Sequence, residues 1–314
     1  MYAIETNHLE KSYGKVKVIK GIDLRVKKGE LFGFLGRNGA GKSTFINMLT
    51  GIIRPSAGTF SLLGVSGSDD EVKKKIGVMP DYSNFYSSLS AIEHLKYFAA
   101  ISGKKVSKER AIEVLKLVGL ETHARKKAGK FSFGMKKKLG IAQAIIHEPE
   151  LIFLDEPTSG LDAESAIHIQ HLIASLQESG KTIFMTSHNL NEVEKICTNI
   201  AIMQEGKITK SGTMEELRSY YQSAITVKLK HSQIPRASQL KLMQWLQANG
   251  TNLTNTEQYT SIQVENEKKI AAIVRAFDEC KTDIYRVEVE EPSLEEIFLE
   301  QPEMESTLPY EKTV

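Results

Sequence analysis

Cysteine and long apolar runs are scarce in this sequence, and each scarcity narrows what the chain can be. Two cysteines, Cys197 and Cys280, stand far apart among 314 residues. Neither a disulfide framework nor a cysteine-based metal site is expected, and a reducing compartment suits both as small apolar fillers. No apolar run reaches about 18 residues, so the chain does not cross a bilayer on its own. The opening Met1-Tyr2-Ala3-Ile4-Glu5 lacks a basic stretch followed by an apolar core, so no signal peptide is expected. Neither sign of charge is in excess. The formal net charge of +2 points neither to nucleic acid nor to an anionic membrane. What remains, 41% hydrophobic and 25% charged, is the profile of a globular protein long enough for one large domain and a smaller one.

What is present in strength is Gly36-Arg37-Asn38-Gly39-Ala40-Gly41-Lys42-Ser43-Thr44. It fits G-x-x-x-x-G-K-[ST], the phosphate-binding loop. Residues 31–35 are an apolar run and read as a buried strand; residues 45–49 continue as a helix. The glycines let successive N–H groups curl around a phosphate where a Cβ would block the approach. The helix N-terminus adds positive potential. In that role Lys42 reaches the β- and γ-phosphates and the Ser43 hydroxyl holds Mg²⁺. An accidental match is expected in about one chain in a hundred of this length.

A second constellation lies at Leu151-Ile152-Phe153-Leu154-Asp155-Glu156. Four apolar residues mark a strand central to a parallel sheet, and its carboxyl end opens on the crevice where phosphates lie. Asp155 suits an outer-sphere role on Mg²⁺ and Glu156 suits polarising a water. Residues 181–186 form another strand, expected beside the first, and it ends at Ser187-His188, which makes His188 a candidate as well. Upstream, residues 2–9 and 16–26 alternate as strands around a turn at Ser12-Tyr13-Gly14. Tyr13 either stacks on a base or is a half-buried strand-end tyrosine. Between 91 and 120 the period becomes helical, with Ile92, Leu95, Phe98 and Ala99 on one face and Ala111, Val114, Leu115 and Val118 on another. A helix opens at Phe131-Ser132-Phe133-Gly134-Met135, and its triplet at 136–138 reads as a solvated lysine face rather than a nucleic-acid contact.

In this order the motifs resemble the nucleotide-binding subunit of an ATP-binding cassette (ABC) transporter over roughly residues 2–218. The resemblance implies an α/β P-loop core of the ABC type, with an antiparallel β-subdomain and an α-helical subdomain at about 82–146. It makes Tyr13 the base-stacking aromatic and residues 36–44 the Walker A loop. Asp81 falls at the Q-loop position as a Mg²⁺ ligand, residues 131–135 are the signature, and 151–156 are Walker B with Glu156 catalytic. Residues 159–162 become the D-loop, with Asp162 near nucleotide, and His188 the switch histidine. The implied cofactors are ATP and Mg²⁺. The implied partners are an integral membrane permease on a separate chain and a second cassette, identical or related. Ser132 and the backbone of Gly134 would touch the γ-phosphate held by that second cassette. No nucleic acid is implied, and the place is the cytoplasmic face of the cell membrane.

Two departures stand out. Asp81 replaces the family glutamine; in the signature, Phe133 replaces the first glycine and Met135 the glutamine. The Phe133 ring either turns away and packs on protein or holds the site slightly open. Two alternatives follow: a soluble cassette ATPase acting on ribosomes or DNA, and a weak-site partner in a heterodimeric pair. One cassette per chain, with no long coiled coil or zinc-binding cysteines, argues against the first.

Residues 219–300 alternate strands and helices and read as a small α+β domain. Strands are expected at 224–229, 261–264 and 284–289, and helices at 239–248 and 267–279. A final helix is expected at 292–299, similar to the closing phrase of many exporter-type cassettes. Residues 301–314 are a polar tail.

Overall fold

The computed structural model describes residues 1–67, 69–80, 85–220 and 225–290. Asp81, Tyr82 and the expected final helix lie outside the described residues. The chain divides into two compact units, Met1–Met214 and a second from Glu215 onward.

The first unit opens with β1 (Tyr2–Tyr13) and β2 (Val16–Lys27). Their alternation buries Ile4, Leu9, Ile19, Ile22, Leu24 and Val26. β3 (Leu31–Gly36) is buried along its whole length and leads through the glycine loop into α1 (Lys42–Leu49). β4 (Ala57–Leu62) and the short β5 (Val65–Ser66) complete an antiparallel sheet, ordered β2-β1-β4-β5. A single turn, α2 (Asp70–Lys73), precedes β6 (Ile76–Met79).

Three helices follow: α3 (Ala91–Ile101), α4 (Lys108–Leu117) and α5 (Phe133–Ile145), packed on one another. Each starts at a serine. Ser90, Ser107 and Ser132 accept an N–H from the first turn, and Ser90 forms a capping box with Glu93. The expected apolar faces are buried, apart from a half-buried Phe98.

The chain returns through β7 (Leu151–Asp155), α6 (Ala163–Glu178), β8 (Thr182–Ser187) and α7 (Leu190–Ile196). A hairpin of β9 (Asn199–Gln204) and β10 (Lys207–Thr213) ends the unit. The second sheet is ordered β10-β9-β3-β8-β7-β6, parallel except for β10 at one edge. Because β8 lies between β3 and β7, the glycine loop, Asp155 and His188 all emerge from neighbouring carboxyl ends. Phe34 of β3 stacks on Phe45 of α1 at 5.0 Å and meets Phe184 of β8 at 5.4 Å. Each buried ring contributes about 1.5–3 kcal/mol, which pins α1, and so the loop, to the strand ends.

At the join is α8 (Met214–Tyr220). The second unit runs β11 (Ile225–His231), α9 (Arg236–Asn249), β12 (Thr251–Asn255), β13 (Tyr259–Val264), α10 (Glu267–Glu279) and β14 (Ile284–Glu290). Its antiparallel sheet is ordered β12-β13-β11-β14, a split βαβ arrangement over its own core of Val227, Leu229, Leu246, Ile262, Ile273 and Phe277. β12 is not foreseen by the sequence reading: Thr-Asn-Leu-Thr-Asn lacks apolar alternation and pairs only as an edge. Among the described residues, no helix is long and apolar enough to cross a membrane.

Candidate active site

The glycine loop is shaped by its own residues. Gly39 and Gly41 take φ of 83° and 111°, a region that side chains disfavour. A Cβ on Gly41 would also lie 2.8 Å from the Met203 methyl and 2.9 Å from Ile19. The Ala40 N–H donates to the Arg37 carbonyl at 3.1 Å, and the Gly206 N–H in the β9–β10 turn donates to the Ala40 carbonyl at 3.1 Å. α1 starts without a side-chain cap, so its first-turn N–H groups suit an anion. Residues 37–39 and Ser43 are exposed, whereas Lys42 is buried.

Lys42 Nζ donates to the Gly36 carbonyl at 2.6 Å and lies 3.2 Å from Glu156 Oε1. The second contact is a charge contact without hydrogen-bond alignment. Glu156 Oε1 is buried and has no hydrogen-bond partner, which makes it costly to leave as it stands. Glu156 Oε2 meets His188 Nδ1 at 2.8 Å. The backbone of Glu156 is left-handed, with φ of 51°, at a cost of about 1–3 kcal/mol. Its N–H donates to Thr186 Oγ1 at 3.0 Å, and the same hydroxyl donates to Asp155 Oδ1. Lys42, Glu156, His188 and Asp155 are thus one cluster.

The other expected residues sit elsewhere in the first unit. Ser132 caps α5, its Oγ accepting the Met135 N–H at 3.3 Å, and is exposed. Asp162 caps α6 and accepts the Ser165 N–H at 2.9 Å. That hydrogen bond holds its carboxyl below the usual range. A Cβ on Gly134 would lie 3.2 Å from Leu161, so the starts of α5 and α6 approach through residues 134 and 161. Tyr13 ends β1 with its ring half-exposed and Lys11 Nζ 5.0 Å from the ring centre.

One expectation fails. The lysines at 136–138 are not a solvated face. Lys137 is buried and its Nζ donates to the Glu156 carbonyl at 2.9 Å; Lys138 Nζ donates to Ser165 Oγ at 3.0 Å. α5 is flanked on that side by residues 156–165, which its own sequence does not reveal. Thr186 was also missed as a site residue. Its signal was available: a hydroxyl at the end of an apolar strand, in register with Asp155.

Comparison with known proteins gives the family. The ABC transporter family matches residues 19–159, and the C-terminal domain of the DrrA1-3-like ATP-binding proteins matches residues 212–301. The linearmycin resistance ATP-binding protein LnrL of Bacillus subtilis is 35% identical over 301 residues, 94% of this chain and 97% of that one. The chain belongs to the ABC transporter ATP-binding proteins. The bacitracin transport ATP-binding protein BcrA of Bacillus licheniformis is 42% identical over 219 residues, 68% of this chain and 71% of its own length. A dimeric ATP-binding cassette solved in a post-hydrolysis state with ADP and phosphate superposes with a TM-score of 0.64. It is 26% identical and covers 67% of this chain and 98% of its own. The fold is that of an ABC P-loop ATPase, and the cassette is an ATP-binding, ATP-hydrolysing subunit of a transporter. Such subunits generally dimerise and pair with membrane permeases. The residues present fit a nucleotide: the glycine loop takes positive φ at Gly39 and Gly41, α1 starts without a side-chain cap, and a buried lysine lies beside a buried carboxylate oxygen that has no hydrogen bond.

Proposed function

We propose that the cassette, residues 1–218, powers an exporter whose permease is a separate chain. Residues 219–300 form an accessory domain and 301–314 a tail. The assembly works at the cytoplasmic face of the cell membrane. Relatives named for linearmycin resistance and bacitracin transport make an antibiotic the first cargo to test.

The observation that carries the chemistry is the Glu156 carboxylate held between Lys42 Nζ at 3.2 Å and His188 Nδ1 at 2.8 Å. In this reading residues 36–44 wrap the ATP phosphates, and Lys42 turns its Nζ from Glu156 to the β- and γ-phosphates. Glu156, released from Lys42, polarises the attacking water, and His188 keeps its other oxygen in place. Ser43, Asp155 and Asp81 are the residues that would hold Mg²⁺, which neutralises charge building on the phosphates. Among the described residues no group of three His, Cys, Asp or Glu is placed to hold a metal ion by itself; Mg²⁺ held largely by phosphate oxygens does not need one. Tyr13 stacks on the base. Ser132, Gly134 and Asp162 face the nucleotide of a second cassette, a reading supported by the exposed start of α5.

Glu156→Gln tests this reading. It should keep ATP binding, lose turnover and accumulate as an ATP-bound pair on gel filtration, whereas Lys42→Ala should weaken ATP binding itself. Full turnover in Glu156→Gln overturns the assignment of Glu156, and full-rate hydrolysis by a strict monomer overturns the pairing.

A further inference from the structure

We infer that Lys137 is a positioning residue for ATP hydrolysis, setting the backbone from which the Glu156 carboxylate projects. The inference rests on the role of Glu156 proposed above and adds a residue to it.

Lys137 is 4% exposed, and its Nζ donates to the Glu156 carbonyl at 2.9 Å across 19 residues of chain. Glu156 has φ of 51°, a conformation that residues with a side chain seldom take and that the surroundings must hold. It is held at both ends: Thr186 accepts its N–H at 3.0 Å and Lys137 donates to its carbonyl. Clamping both peptide groups fixes the direction of the Cα–Cβ bond, and so the point from which the carboxylate reaches between Lys42 and His188. Lys137 Nζ is itself kept in place by the Phe133 ring, whose centre lies 5.7 Å away, one turn earlier on α5. A lysine there is therefore not a generic helix-surface charge. Without it the Glu156 carbonyl loses a buried donor, the left-handed residue relaxes, and the carboxylate leaves its place.

Lys137 touches neither the nucleotide nor the water in this account, so its loss should act on turnover and spare binding. The test is steady-state ATP hydrolysis, ATP binding and gel filtration of the full-length chain in its assembled transporter. Lys137→Met removes the donor at similar bulk, and Lys137→Arg keeps one. We expect Lys137→Met to lower kcat by about tenfold or more with KM for ATP within about twofold, and to accumulate the ATP-bound pair. Lys137→Arg should return kcat to within about threefold of wild type. If the Met variant does not fold, Lys137→Leu, which also lacks a donor, is held to the same criteria. An unchanged kcat, or parallel losses of kcat and ATP binding, overturns the inference. Full turnover in Glu156→Gln would instead strike the reading of Glu156 itself. A normal Lys137→Met beside an inactive Glu156→Gln would strike Lys137 alone.

Discussion

The Phe133 ring stands where a side chain on residue 160 would go. A Cβ built on Gly160 would lie 2.5 Å from Phe133 Cε1, closer than such atoms approach. The bulk at 133, where the resemblance has glycine, is matched by the absence of bulk at 160. The ring thus lies against its own chain, between Gly160 and Lys137.

Gly160→Ala should therefore cost more than its left-handed backbone alone, which at φ of 74° is worth about 1–2 kcal/mol. Combining it with Phe133→Gly should recover the excess. Thermal melts of both singles and the double form the cycle; an equal loss with and without the ring would mean that Phe133 does not hold that space. By itself Phe133→Gly should change turnover by less than about tenfold, or about 1.4 kcal/mol of barrier. A hundredfold rise on restoring glycine would mean an impaired signature.

Thr186→Val keeps the shape of a fully buried side chain but removes the hydroxyl shared by Asp155 and the Glu156 N–H. The stranded N–H should cost about 1–3 kcal/mol of stability, read by denaturant unfolding, and turnover should fall with it. Unaltered unfolding and turnover together would remove Thr186 from the site.

Phe85 meets the His94 ring edge-on at 5.2 Å, whereas Tyr86, 54% exposed, stands edge-on to Tyr97 at 5.5 Å. Phe85→Ala should lower stability by about 1–3 kcal/mol through lost packing. Tyr86→Ala should leave stability within about 1 kcal/mol and, on the proposed pairing with a permease, should weaken membrane association, because this exposed ring is free to contact a partner helix. Membrane association unchanged in Tyr86→Ala would leave both aromatics with packing alone.

Burial holds the imidazoles of His94 and His147 below their ordinary pKa, against the pull of a hydrogen bond to each. Above the unfolded value of about 6.5 both are neutral folded or unfolded and contribute nothing to the pH dependence. As pH falls through that value the unfolded chain takes up protons that the folded chain resists. Stability should therefore drop until the folded values are passed, then level off. Melting temperatures between about pH 7.5 and pH 5 should show the fall. His147→Gln, which keeps a donor for the Ile76 carbonyl, should flatten it. An unchanged slope would exonerate His147.

By itself the sequence determined the elements whose apolar pattern is written in contiguous residues; β12, which lacks that pattern, was not among them. The strand, glycine loop and helix of 31–49 follow from an apolar run, glycines that accept positive φ and a helical continuation. Helices α3 and α4 follow from apolar residues at helical spacing, whereas their serine caps, and that of α5, are seen only in the structure. Asp155 and Glu156 are legible because an apolar strand ends in two carboxylates. Tertiary structure decided what depends on strand order and helix seating. Placing β8 between β3 and β7 brings Thr186 and His188 to Glu156. Seating α5 against residues 156–165 turns an apparent surface lysine into a buried partner of Glu156 and lets Phe133 fill the space over Gly160. No periodicity announces these contacts, because they join residues 19 to 32 apart in sequence. Their energy comes from burial and hydrogen bonding that exist only once the sheet is assembled.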